Sequence, residues 1–416
     1  MTYPRPRTDT YVRKLEVGQL FTPAAPINNK DLLAGRVMQI DRIIQTISQA
    51  GQHAVLFGER GVGKSSLANC LAGFLEGAKT AILPVRVQCD SSDDFGSLWR
   101  RAFSAIKVST KVTSIGLRPE ETEQISSLAD AIQDPITPDL VRISLTALAA
   151  HCLPIILIDE IDRFADFGAT RLFADTVKIL SDYAVRAALV FVGVADSVDS
   201  LIDGHESIMR NLVQVLLPRM SVAEMVALVN GRLSKAEMTI TSDALDRICL
   251  LSSGLPHYTH LIAQHAAWAA IDSSVNEIAD VHVGAAMSSA IANAQQTIER
   301  AYHRATMSPR KDSLFPEVLL ACALAQCDQL GYFAPADVRA PMSAILGKDC
   351  TISSFVRHLG DFCKESRATV LQEIGGKYQR RFRFRNPLLQ PYVIMKGIAG
   401  SLVTLDQVGR FRDSRS

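Results

Sequence analysis

The chain has no apolar run near the 18 or so residues that a membrane-spanning helix needs. Runs such as LPIILI at 153–158 and ALVFVGVA at 188–195 fall far short of it, so no membrane partner is expected and the protein reads as soluble. The amino terminus, MTYPRPRTDTYVRKLEV, carries positive charge with no apolar stretch behind it. It is therefore not a secretory signal, and a cytoplasmic location is the expectation. The eight cysteines include no C-x-x-C pair, and Cys70, Cys152 and Cys249 sit inside apolar patterns. They read as reduced core thiols rather than as a disulfide framework or zinc site. Charge of one sign is also lacking: Lys+Arg 44 against Asp+Glu 43 leaves +1, so any nucleic-acid surface has to be a local patch. With 48% hydrophobic and 21% charged residues, disorder, collagen and coiled coil are excluded as the main architecture. No repeat of 20–50 residues is visible, and a length of 416 residues implies roughly three domains.

Periodicity divides the chain. Residues 1–30, rich in Pro, Thr and Asn, read as an aperiodic arm laid over a neighbouring domain. From 31 to 217, helical patterns alternate with strands such as HAVLFG (53–58), AILPVRV (81–87), PIILI (154–158) and AALVFVGVA (187–195). Strands without polar alternation belong to a parallel sheet covered on both faces, so an α/β core is expected. Residues 107–138, with three basic and five acidic side chains, break the rhythm as a surface insertion. Residues 218–307 read as helical throughout, opened by the capping-box pattern Ser221-Val-Ala-Glu224 and ending in one long helix at about 283–304. The basic SPRKDS at 308–313 is a linker. Over 314–400, three helical patterns precede a hairpin turning at Gly375-Gly376, the order of a winged helix-turn-helix. A tail, 401–416, follows.

Residues 58–65, Gly-Glu-Arg-Gly-Val-Gly-Lys-Ser, complete the pattern G-x-x-x-x-G-K-[ST] between an apolar strand and a helix. Gly58, Gly61 and Gly63 let the backbone wrap phosphate oxygens, with Val62 and Ser66 in the same loop-to-helix turn. Lys64 is placed to bridge the β- and γ-phosphates of ATP, and the Ser65 hydroxyl to ligate Mg²⁺. A second acidic motif, Asp159-Glu160-Ile161-Asp162, closes an apolar strand, where ligands sit in open α/β sheets. There Asp159 is expected in the Mg²⁺ shell and Glu160 as the group that orients and deprotonates the attacking water.

With both motifs, the chain resembles an AAA+ ATPase. More narrowly, its element order over about residues 31–400 resembles the group holding origin-recognition initiators and STAND signalling ATPases. The resemblance implies a P-loop AAA+ parallel-sheet core, a helical lid and a C-terminal winged-helix domain. It implies that Gly35 and Arg36 pack near adenine, and that Pro256 of Gly254-Leu-Pro256, with His257 beside it, lies against the nucleotide. It places Asp196 at the tip of the sensor strand, with Ser197 as substitute. Arg210 resembles an arginine finger inserted into a neighbour's site in a homo-oligomer, with Arg219 as rival.

The hairpin interleaves Lys377, Arg380, Arg381, Arg383 and Arg385 with aromatic rings, and residues 357–385 hold eight basic against three acidic side chains. In RRFRF the phenylalanines share one strand face and the arginines the other, which could offer cations to duplex DNA. Arg357 on the preceding helix is a further candidate. Two functions follow. One is an ATP-hydrolysing protein that self-assembles with ATP to act on DNA, as an initiator, transposition regulator or defence component. The other is a STAND-type switch in which nucleotide opens the lid and winged helix to recruit a protein partner.

Overall fold

The computed structural model describes residues 8–27, 33, 35–75, 81–113, 121–164, 167–194, 208–309, 313–376 and 379–413. Its centre is a parallel five-stranded sheet. The strands are β1 (His53–Phe57), β2 (Ile82–Gln88), β5 (Leu153–Asp159), β6 (Ala188–Gly193) and β7 (Leu212–Leu216), in the order β2-β5-β6-β1-β7. The unbroken apolar runs have a simple cause. Ile156, Ile158, Leu189 and Phe191 face one hydrophobic cluster, whereas Ile155, Leu157, Val190 and Val192 face another on the opposite side. Alternate side chains leave a strand in opposite directions, so a sheet covered on both faces needs apolar residues at every position. Phe95, Leu98, Trp99 and Phe103, one face of the helix Phe95–Ala105, fill the first cluster.

Four expectations change. The insertion at 107–138 contains an antiparallel pair of strands, β3 (Lys107–Thr113) and β4 (Glu121–Ser127), apart from the main sheet. The amino-terminal arm does lie over its neighbours, but as a helix, Thr8–Leu20. Its residues Val17 and Phe21 join the core of the following helical region, and the Trp268 Nε1 donates to the Lys14 carbonyl at 3.0 Å. The single helix expected at 283–304 is two, Asp280–Ala292 and Gln296–Thr306, parted at Asn293–Gln295. Asn readily leaves helical geometry, and the break delivers Gln295 to the cavity described below. The tail holds a helix, Leu405–Asp413, anchored by Val408.

The capping box at Ser221 and Glu224 opens the helix Val222–Lys235 as the pattern indicates. Helices Ser242–Ser252 and Pro256–Asp272 follow. Beyond them come helices Phe315–Leu324, Pro335–Leu346 and Ile352–Phe362 and an antiparallel hairpin of strands Leu371–Ile374 and Arg381–Phe384. A nearly fully buried helix, Leu389–Ala399, then returns to the rest of the molecule. Among the described residues, no helix is long and apolar enough to cross a membrane.

Candidate nucleotide site

Strand β1 delivers the chain into the glycine-rich loop, and the helix Lys64–Phe74 begins at its last residues. Gly58 is required by close approach: a Cβ there would lie 2.3 Å from the Leu217 carbonyl oxygen. The loop opens into a cavity of about 670 Å³, within the range of small-molecule sites. Gly61, Gly63, Lys64, Ser65, Ser66, Asp159, Glu160, Pro256 and His257 all reach it, so both sequence motifs and the lid residues converge.

Each reactive group is held by an internal partner. Lys64 Nζ donates to the carbonyls of Gly58 at 3.1 Å and Glu59 at 2.7 Å, and burial pushes its pKa down to about 8. Asp159 accepts from Arg86 Nη2 at 2.6 Å and from the Glu160 N–H at 2.9 Å. Glu160 accepts from Gln88 Nε2 at 2.9 Å and from Arg163 Nη1 at 3.0 Å. Burial pushes the Glu160 carboxyl up, but these two donors and the charge of Arg163 outweigh it and hold it below its ordinary value. Its backbone is left-handed, with φ of 56°, a conformation that costs a non-glycine residue about 1 kcal/mol or more. Glu160 is thus ionised and tethered, and has to leave Gln88 and Arg163 before it can orient water.

The loop N–H groups, Lys64 and the cavity fit a nucleotide triphosphate, and the Ser65 hydroxyl with the Asp159 carboxylate forms a hard-oxygen set suited to Mg²⁺. Arg86 occupies one Asp159 oxygen, so a metal there would have to share or displace that guanidinium. Arg86 was not singled out from the sequence. As an exposed position on an alternating edge strand beside Asp159, it was visible only once β2 and β5 were paired.

The cavity's other wall is the amino-terminal segment Thr22–Ile27, read from sequence only as part of an arm. The Ile27 N–H donates to Ser66 Oγ at 3.1 Å, and the Thr22 N–H to His260 Nδ1 at 3.1 Å. His257 Nδ1 lies 2.7 Å from the Pro23 carbonyl, so it carries the proton there. Burial lowers the pKa of His257, a shift opposed by that bond, and pushes His260 down to about 3. Both rings stay neutral near pH 7. Neither supplies a permanent cation.

Gly35, Arg36 and Val62 brace the loop instead of lining the cavity. Arg36 is buried, donates to the Val62 carbonyl at 3.1 Å and pairs with Glu224 at 3.6 Å, so its guanidinium is committed to positioning the loop. The rival finger Arg219 is likewise committed. Its Nε and Nη2 grip the Glu59 carboxylate at 2.5 and 2.9 Å, and its Nη1 donates to Gln390 Oε1 at 2.7 Å. Burial opposes the Arg219 charge, but Glu59 outweighs it and raises the pKa. Arg210 is exposed in the turn before β7, at the end of the sheet opposite the loop. A strand of that length spans roughly 16 Å, which separates Arg210 from its own chain's cavity. Asp196, Ser197 and Lys377 lie outside the described residues.

The hairpin arginines are engaged within the chain. Arg380 grips Glu373 at 2.5 and 2.8 Å, Arg381 pairs with Asp328 at 2.9 Å, and Arg383 donates to Gln372 at 2.9 Å and stacks on Tyr332. The alternation expected of RRFRF holds: Phe382 and Phe384 are buried and the arginines take the other face. That face, however, borders the glycine-rich loop. Arg357 is exposed on its helix.

Residues 47–202 match the family model of the AAA domain, and with the parallel five-stranded sheet they define an AAA-type, P-loop nucleotide-binding fold. The chain is similar to the Walker-type ATPase of Pyrococcus abyssi at 13% identity, covering 90% of this chain and 99% of that one, with a TM-score of 0.54. It is similar more loosely to the ORC2 protein of Aeropyrum pernix, with ADPNP and ADP (12% identity, 95% and 98% covered, TM-score 0.47). The RuvB branch-migration motor of Thermotoga maritima is also similar (13% identity, 87% and 94% covered, TM-score 0.39). No curated protein matches the sequence.

Lys64→Ala should abolish ATP retention in equilibrium binding, whereas Glu160→Gln should retain ATP and lose about 10²-fold or more in turnover. Parental turnover in Glu160→Gln would overturn the assignment of the acidic strand end.

Proposed function

We propose that the protein is an Mg²⁺-dependent, ATP-hydrolysing AAA+ switch in which the nucleotide at Lys64 controls whether the carboxy-terminal region stays seated on the P-loop. The observation that carries this reading is Glu59. It is a P-loop residue, yet its buried carboxylate is gripped by Arg219, which also holds Gln390 at the start of the carboxy-terminal helix Leu389–Ala399. Gly331 completes the seat, since a Cβ there would come 2.0 Å from Glu59 Oε1. Any shift of the loop around phosphate is felt directly by that seat. In this reading Lys64 binds phosphate, Ser65 and Asp159 hold Mg²⁺, and Glu160, once released from Gln88, accepts the proton of the attacking water. Bound Mg²⁺ would supply charge neutralisation of the phosphates.

Gln390→Ala removes one link without touching the cavity, and Gln390 Nε2 also holds the Ala323 carbonyl at 2.7 Å. The variant should release ADP about tenfold faster than the parent in stopped-flow measurements while binding ATP with similar affinity. Unchanged ADP release in a folded Gln390→Ala chain would contradict the coupling.

Self-assembly follows from Arg210, too far from its own cavity and exposed for a neighbour's, where a guanidinium would stabilise charge on the transferred phosphoryl group. Mixing Arg210→Ala with Lys64→Ala chains should restore turnover. Co-assembly without recovery would exclude a trans finger. A second reading, action on duplex DNA through a winged helix, is favoured by the exposed Arg357 on the outward helix. It needs Arg380, Arg381 and Arg383 to exchange their internal partners for phosphates, so it belongs to the unseated state.

A further inference from the structure

Arg60 is the third residue of the glycine-rich loop and the one cation among its four variable positions, Glu59 to Val62. Lys64 Nζ donates to the Glu59 carbonyl at 2.7 Å. That carbonyl belongs to the planar peptide unit joining Glu59 to Arg60, so the Arg60 backbone lies beside the ammonium that would hold phosphate. Its side chain crosses from the loop to the acidic strand end, where Nη2 meets the Asp162 carboxylate at 3.1 Å. Arg60, Lys64, Asp159, Glu160 and Asp162 all line the nucleotide cavity. Beyond the effect of burial, the charge of Arg60 acts on both neighbours, opposing the Lys64 ammonium and favouring the Glu160 carboxylate. The other arginines nearby have duties: Arg163 tethers Glu160, Arg86 holds Asp159 and Arg219 clamps Glu59. Arg60 is different. Its side chain is 69% exposed, and an ion pair so open to water is weak and readily exchanged. Asp162, once released, still faces Lys64, whose charged form it favours more than any other carboxylate does.

We propose that Arg60 is a catalytic residue of the ATPase reaction: when nucleotide binds, it exchanges Asp162 for the γ-phosphate of its own chain's ATP and stabilises the charge on the transferred group. This rests on the hydrolysis proposed above. The water oxygen bonds to the γ-phosphorus as the bond from that phosphorus to the β,γ-bridging oxygen breaks. The bridging oxygen leaves with ADP, and the water's proton passes to Glu160. Arg60 exchanges no proton; its planar fork offers N–H donors to the equatorial oxygens, where charge is spread in the transition state. A donor that acts mainly there governs kcat and leaves ground-state binding nearly untouched.

Steady-state ATPase kinetics of the full chain with Mg²⁺ provide the test. Arg60→Ala should lower kcat about 10²-fold or more, with KM for ATP and the affinity for ADP changed by less than about threefold. Arg60→Lys, which keeps the charge but loses the fork, should recover only part of that loss. Asp162→Asn breaks the same ion pair yet keeps the guanidinium, so it should cost far less turnover than Arg60→Ala. Equal losses in those two variants would reduce Arg60 to a structural partner and overturn the proposal. Mixing Arg60→Ala with Lys64→Ala chains should restore nothing, since each P-loop then lacks one of its own cations; recovery would place Arg60 in a neighbour's site. Parental kcat in Arg60→Ala, beside a loss in Glu160→Gln, refutes the role of Arg60 alone. A parent without Lys64-dependent turnover refutes the hydrolytic reading itself.

Discussion

Glu59 sits inside a loop whose sequence is otherwise dedicated to phosphate, and its carboxylate is among the least exposed in the molecule, at 3% of the side chain. A buried carboxylate is tolerable only if fully paired, and Arg219 and its bond to Gln390 supply that pairing. Removing one partner of such a pair costs about 3–5 kcal/mol. The seat is reinforced by packing. Leu388 touches three hydrophobic clusters at once, those of the P-loop side of the sheet, the helical region and the carboxy-terminal region. Tyr258 Oη donates to its carbonyl at 2.9 Å. Loop, helices and hairpin therefore share one joint.

Around that joint the reactive groups are held by stand-ins. Lys64 rests on backbone carbonyls, Asp159 on Arg86, and Glu160 on Gln88 and Arg163. Each contact satisfies a charge that nucleotide, metal or water would otherwise satisfy. Exchanging one partner for another would leave no charge bare.

The sheet and the site motifs were legible because they are local. Apolar strands at 154–158 and 187–195 and the run from Gly58 to Ser65 state their roles within a few residues. The alternation of Phe382 and Phe384 with arginines was legible for the same reason. What those arginines face was not, since a period of two fixes sides but not the surface that covers them. Arg86, Glu59 and the Thr22–Ile27 wall were missed because their partners lie 73, 160 and 39 or more residues away. Arg36 and Arg219 were recognised as notable, but their partners Glu224 and Glu59 lie far off in sequence. Both make internal ion pairs, with Glu224 and with the buried Glu59, that their own neighbours in sequence do not announce. The helix Thr8–Leu20 escaped because its apolar residues, Val17 among them, form too sparse a stripe to show a period.

The most direct test of the coupling between P-loop and carboxy-terminal region is amide hydrogen exchange of Glu160→Gln protein, which should hold ATP while consuming it far more slowly. Peptides spanning Gly331 and Arg385–Gln390 should exchange faster with ATP and Mg²⁺ than with ADP, while the central strand Leu153–Asp159 stays protected. Equal protection of those peptides in both nucleotide states would contradict the account.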